Sequence, residues 1–191
     1  VDLPATTVNA ADTEEDSPEG YQGKPSATTT RLNLTAQETP QGVTSIKREQ
    51  LDDFKLNSIR DVLDSTPGVN LQKIETDRTY FTARGFDITN FQYDGVNSQY
   101  DGVFDEGATK VDMALYDRVD IIKGATGLLS GSGEPSATVN LIRKKPTREF
   151  KASVSGSVGS WDDYRTEGDI SGPLNEDGSV RGRVVAVYQD A

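Results

Sequence analysis

The hydrophobic and polar positions of this chain change rhythm twice along its 191 residues. Up to about residue 40 there is no rhythm. Residues 2–19 carry six acids and no base, and the stretch continues in Gly, Pro, Ser and Thr. Such a segment buries too little apolar surface to offset the entropy of ordering it. One short β-prone island, residues 3–8 (LPATTV), stands within it.

Between Pro40 and Arg148, short helical and strand patterns alternate irregularly. Residues 43–46 read as a strand and 47–54 as a helix, with Leu51 and Phe54 three apart. Ser58 followed by Asp61 forms a capping box, and Ile59, Val62 and Leu63 then share one helical face. Thr66-Pro67-Gly68 ends that helix, because the residue before proline avoids the helical region and glycine accepts a left-handed one. Residues 69–74, 79–86 and 91–96 are strand-like, the last interrupted by the turn signal Asp94-Gly95. A polar loop, 97–110, follows. Residues 111–116 suit one or two helical turns, and 118–122 a strand closed by Gly124. Residues 130–136 form a Gly-, Ser- and Pro-rich loop, and 137–142 a strand stopped by Arg143-Lys144-Lys145. The absence of a βαβ rhythm predicts a small α+β domain with a mixed sheet.

After Arg148 the rhythm becomes alternation. Ala152, Val154, Gly156 and Val158 alternate with serines, and Tyr164, Thr166, Gly168 and Ile170 alternate with Arg165, Glu167 and Asp169. A tight turn at residues 175–178 leads to Val180, Gly182, Val184, Ala186 and Tyr188, again alternating. Segments of about 10 alternating residues joined by short turns are the signature of an outer-membrane barrel. An ordinary antiparallel meander with one wet face gives the same periodicity. Three strands with an unpaired edge are poorly stable alone, so more chain is expected after Ala191.

Composition narrows the function. A net charge of −11 argues against nucleic-acid binding, which depends on cations neutralising phosphates. With no cysteine there is no disulfide framework or thiolate chemistry, and with no histidine the commonest general base and transition-metal ligand are missing. No stretch approaches the roughly 20 apolar residues of a membrane helix, which leaves a membrane β-barrel open. No leader stands at Val1, so a signal peptide is expected to have been removed or never present.

Six blocks now line up in one order: residues 38–44 (ETPQGVT), 59–68 (IRDVLDSTPG), 83–86 (ARGF), 93–96 (YDGV), 117–124 (DRVDIIKG) and 131–146 (GSGEPSATVNLIRKKP). The series resembles the plug domain of TonB-dependent outer-membrane receptors, and most of all receptors for hydroxamate- or pyoverdine-type ferric siderophores. GSWDDY and PLNEDGSVRGRV resemble the first barrel strands of that subgroup. The resemblance covers roughly residues 36–191. It implies an α+β plug domain with a small mixed sheet, followed by the first antiparallel strands of a 22-stranded transmembrane β-barrel. The implied division is 1–38 for a flexible segment with the TonB box, 39–148 for the plug and 149–191 for the start of the barrel. The implied activity is import of a ferric siderophore into the periplasm, with the plug gating the barrel and TonB and its inner-membrane energising complex supplying energy. The ferric siderophore is then a transported ligand and no covalent cofactor is expected. The implied location is the bacterial outer membrane, with the N-terminus in the periplasm.

The resemblance also assigns roles. Leu3, Ala5, Thr6, Thr7 and Val8 are the TonB-box candidates, since strand addition needs an uncommitted extended segment. Arg84 is the ligand-contact candidate, because a guanidinium donates to several chelate oxygens at once; an internal ion pair is its competing role. Tyr80 and Phe86 are candidates for an aromatic platform, with core packing as the alternative. Gln99, Tyr100 and Phe104 belong to a long loop expected near the ligand. Arg118 and Lys123 are expected to face barrel carboxylates, although the family usually has arginine where Lys123 stands. Residues 143–145 are expected to mark a solvated periplasmic exit. A calcium site at Asp94, Asp101, Asp105 and Glu106 is conceivable, but solvated loop acids are the preferred reading.

Two other function classes remain for comparison. One is a soluble periplasmic or secreted α+β binding module whose last strands are a local meander. The other is a carboxylate-pair glycosidase, for which no catalytic pair can be chosen, so the chain is not expected to be an enzyme.

Overall fold

The computed structural model describes residues 42–74, 79–99, 111–124, 135–160 and 163–190. The TonB-box candidates, Tyr100, Phe104 and the loop acids Asp101, Asp105 and Glu106 lie outside them.

The chain enters through β1 (Gly42–Lys47) and turns directly into α1 (Arg48–Asp53). α2 (Ile59–Asp64) starts at the expected capping box: Ser58 Oγ accepts from the Asp61 N–H, and the Asp61 carboxylate accepts from the Ser58 N–H at 3.0 Å. Ile59, Val62 and Leu63 are all buried, as their spacing requires. Gly68 takes a φ of +80°, the left-handed conformation that lets the chain reverse into β2 (Val69–Lys73).

Residues 79–86 differ from the single strand expected. They form β3 (Thr79–Ala83), a two-residue turn at Arg84-Gly85, and β4 (Phe86–Asp87), with Ala83 opposite Phe86. β5 (Asn90–Tyr93) and β6 (Val96–Gln99) make a second hairpin around Asp94-Gly95, so residues 97–99 of the expected loop are strand. A 3-10 turn (Met113–Leu115) precedes β7 (Tyr116–Lys123), which takes Tyr116 from the expected helical stretch. β8 is Ala137–Arg143.

A five-stranded sheet has the order β1-β7-β8-β5-β6, and the β5–β8 pair is parallel within otherwise antiparallel neighbours. This is the mixed sheet the irregular rhythm predicts. β2, β3 and β4 form a smaller antiparallel sheet. One face of the larger sheet presents Ile46, Phe91, Val119, Ile121, Val139 and Leu141, which join Leu51, Ile59, Val62, Leu63, Phe81 and Met113 in one apolar core. The opposite face is polar yet buried: Ser45 Oγ donates to Asp120 at 2.5 Å, Asn90 Nδ2 to Thr138 Oγ1 at 3.2 Å, and the Gly95 N–H to Asn140 at 3.0 Å.

β8 ends at Arg143, and the chain then leaves for a separate three-stranded antiparallel sheet, β9 (Lys151–Val158), β10 (Tyr164–Pro173) and β11 (Arg181–Asp190). The register therefore gives the larger sheet two distinct ends. At the exit end lie Lys47, Tyr116, Arg143 and the Asp94-Gly95 turn. At the far end lie Gly42, Lys123, Ala137, Asn90 and Gln99.

Candidate functional site

Two hairpin turns place positive φ at both central residues, as a type I′ turn demands. Asp94-Gly95 (φ +50° and +80°) has the usual residues for it. Arg84-Gly85 (φ +56° and +83°) does not, since arginine has no local hydrogen bond to offset a left-handed backbone. A left-handed arginine costs about 1 kcal/mol relative to glycine there. Its guanidinium lies against Gly124, where any Cβ would come within 3.0 Å of Nη1. Arg84 is exposed, and no ion pair to it is seen among the described residues. Because Gly124 follows Lys123, Arg84 sits at the far end of the sheet, opposite the exit. Gln99 ends β6 at that same end.

Tyr80 and Phe86 do not share a face. Tyr80 lies on the face of β3 opposite to Phe81 and Ala83, whereas Phe86 pairs with Ala83 and so stands on Ala83's side. Tyr80 is half-buried and Phe86 exposed, so neither is a core residue like Phe81.

Arg118 and Lys123 also separate. Five positions apart in one strand, they face opposite sides of the sheet. Arg118 lies on the polar face, its Nε 3.4 Å from the buried Asp120 carboxylate. Lys123 lies on the helix side, where its ammonium donates to the Pro67 carbonyl at the end of α2. Asp94 is at the exit end, where both its oxygens accept from Arg143, at 2.9 Å from N and 2.5 Å from Nε.

At the exit, Arg143 and Lys145 are exposed as expected, but Lys144 is not. Lys144 is buried, and its ammonium donates to Asp169 on β10 at 2.8 Å. Arg183 on β11 holds the same carboxylate with two bonds, 2.9 and 2.8 Å, and donates to the Lys145 carbonyl at 2.8 Å. Further along, Arg165 on β10 grips Asp112, next to the 3-10 turn, through two bonds of 2.6 and 2.8 Å. Glu167 lies between them, 3.5 Å from Arg165 and 3.8 Å from Lys144. A ladder of alternating charges thus joins the α+β unit to the C-terminal sheet. It escaped the sequence reading because its partners lie far apart in the chain. Its one local signal is Arg165, Glu167 and Asp169 at every second position of a strand.

Burial raises the Asp112 carboxyl pKa, but hydrogen bonds from Arg165 and the Ala114 N–H, with the charges of Arg165 and Arg48, outweigh it and hold the value below the ordinary 3.8. A folded value below the unfolded one means the ladder's contribution is full above about pH 4 and is lost as pH falls through the lowered value. The unfolding temperature should therefore drop in acid below about pH 4, and drop less in Asp112→Asn. Equal acid sensitivity in both proteins would remove Asp112 from the clamp.

The charged ladder occupies the face of the C-terminal sheet turned toward the α+β unit. The apolar residues are on the other face. Val154 (82% exposed), Val158, Tyr164, Ile170, Val184 and Tyr188 all point away from it. A meander packed on a soluble domain buries its apolar face and wets its polar one. This sheet does the reverse, as a strand between a polar lumen and lipid must.

The family profile described as TonB-dependent Receptor Plug Domain matches residues 35–138. The chain belongs to the TonB-dependent receptor plug family. Across its full length this plug-containing chain is 54% identical to the ferripyoverdine receptor of Pseudomonas aeruginosa and 45% identical to the ferric-pyoverdine 358 receptor of Pseudomonas putida, covering 24% of each. The chain therefore spans about a quarter of the length of the curated relatives it matches. The crystal structure of the Pseudomonas aeruginosa ferripyoverdine receptor bound to ferripyoverdine superposes with a TM-score of 0.85 at 55% identity, over 88% of this chain and 23% of that one. The alcaligin outer-membrane receptor of Bordetella pertussis superposes at 0.81 and 45% identity, over 88% and 30%. The fold is a plug followed by the first antiparallel strands of the receptor barrel, and the charge ladder is the seam between the two. The relatives named are transport receptors.

Proposed function

We propose that the receptor to which this plug belongs sits in the outer membrane, binds a ferric siderophore of the pyoverdine type and imports it into the periplasm. The observation that carries this reading is the inverted sheet, apolar toward the surroundings and charged toward the plug. A soluble binding module would expose those six apolar side chains to water without return. The 54% identity to a ferripyoverdine receptor supports the ligand class.

Within this reading the far end of the sheet faces the ligand and the exit end faces the periplasm. Arg84 donates to the chelate oxygens, and its strained turn fixes the guanidinium before the ligand arrives. Tyr80 and Phe86 flank that turn from opposite faces, and Gln99, Tyr100 and Phe104 are the further ligand-contact candidates. Arg118 serves the seam on the polar face. Residues 3–8 pair with TonB as an added strand, and TonB transmits the energy of the inner-membrane complex. The domain division is a segment to residue 38, a plug over 39–148 and barrel from 149.

Arg84→Ala in the intact receptor should weaken ferripyoverdine binding about tenfold, roughly the worth of a charge-assisted hydrogen bond, while leaving the unfolding temperature unchanged, since alanine keeps the Cβ that strains the turn. Tryptophan fluorescence quenching by ferripyoverdine reads the affinity. Unchanged affinity would return Arg84 to a purely architectural role.

A further inference from the structure

The Lys123-Gly124 corner collects two cations from different parts of the chain. Arg84 reaches it from the β3–β4 turn and rests on Gly124. Lys123 folds its ammonium toward the end of α2, donates to the Pro67 carbonyl, and lies 3.8 Å from where a Cβ on Gly68 would be. Four backbone positions around the corner have positive φ: Gly68, Arg84, Gly85 and Gly124. The corner is thus built by three separate reversals of the chain. An ammonium has three donors and a guanidinium five. The Pro67 carbonyl takes one of these eight, and neither cation has a carboxylate partner among the described residues. By contrast, the seam cations Lys144, Arg165 and Arg183 each hold an acid within 2.8 Å.

We propose that Lys123 acts with Arg84 as an anion-binding corner on the ligand face of the plug, and that the imported chelate presents an anionic oxygen group to it. This rests on the receptor reading above and separates Lys123 from the plug–barrel role that its block suggests. Arg118, on the opposite face of the same strand, keeps that role. Lysine suits the corner because one of its three donors is held by Pro67 and the others remain for an anion. The two cations also steer an anionic chelate to the plug, so binding weakens as salt screens them.

The test uses the intact receptor, ferripyoverdine, and ferripyoverdine whose free carboxylates have been amidated. Affinity is measured by fluorescence quenching across a salt series for the wild type, Lys123→Gln and Lys123→Arg. The expected result is an affinity about tenfold lower at low salt in Lys123→Gln, a shallower salt dependence, and substantial rescue by Lys123→Arg. If amidation abolishes the difference between wild type and Lys123→Gln, the anionic group is a carboxylate. If the difference persists, it is the charge of the chelate itself. Lys123→Gln binding like wild type would overturn the proposal. So would weaker binding with an unchanged salt dependence and no rescue, which would make Lys123 only a pin on Pro67. A wild type that binds neither chelate would instead sink the receptor reading on which the proposal stands.

Discussion

Asp169→Ala should destabilise the docked plug by about 3 kcal/mol, because removing one partner of a buried ion pair strands the others. Asp169 accepts from Lys144 at 2.8 Å and from Arg183 at 2.9 and 2.8 Å. The Lys144 side chain is 7% exposed, so its ammonium cannot turn to water without breaking the packing at the exit. Glu167, at 3.8 Å, is the next acid within reach and is already shared with Arg165. The stranded charge, more than the lost attraction, sets the size of the effect. Replacing all three at once, with Lys144→Met, Asp169→Leu and Arg183→Met, should therefore cost less than Asp169→Ala alone. Calorimetric unfolding of the intact receptor measures both. A loss within about 0.5 kcal/mol for Asp169→Ala would show the seam to be worth no more than a surface pair.

Val154→Arg should reduce the stability of the inserted receptor by about 2–4 kcal/mol if the side chain stands at mid-membrane depth. Val154 lies near the middle of β9, opposite Gly168 and on the apolar outer face. In a water-soluble meander the same change, at a position this exposed, would fall within about 0.5 kcal/mol. The substitution thus separates the two readings that periodicity left level. Folding of the intact receptor into lipid vesicles, followed by denaturant titration, supplies the number. Ser155→Arg, on the lumen face, is the matched control and should be tolerated better.

Much of the architecture was legible because it is written locally. The capping box at Ser58, the apolar triplet Ile59, Val62 and Leu63, and the stop at Pro67-Gly68 each need only neighbours within one turn of helix. The Arg84-Gly85 turn was hidden because arginine does not announce a left-handed position, so residues 79–86 read as one strand. The separation of Arg118 from Lys123 follows from strand parity, which a motif block does not display. The seam was invisible for a different reason. Alternation showed that β10 has one charged and one apolar face, but not which face turns inward. That choice depends on Asp112 and Lys144, which lie 53 and 25 residues from the partners they hold.

The central claim is that this plug gates a receptor importing a ferric siderophore with energy delivered by TonB. Uptake of radio-iron ferripyoverdine by cells carrying the intact receptor tests it most directly, with and without TonB and with residues 3–8 deleted. The account predicts uptake that disappears without TonB or without residues 3–8, while ferripyoverdine still binds at the cell surface. Uptake that continues in the absence of TonB, or no uptake and no binding in its presence, would contradict it.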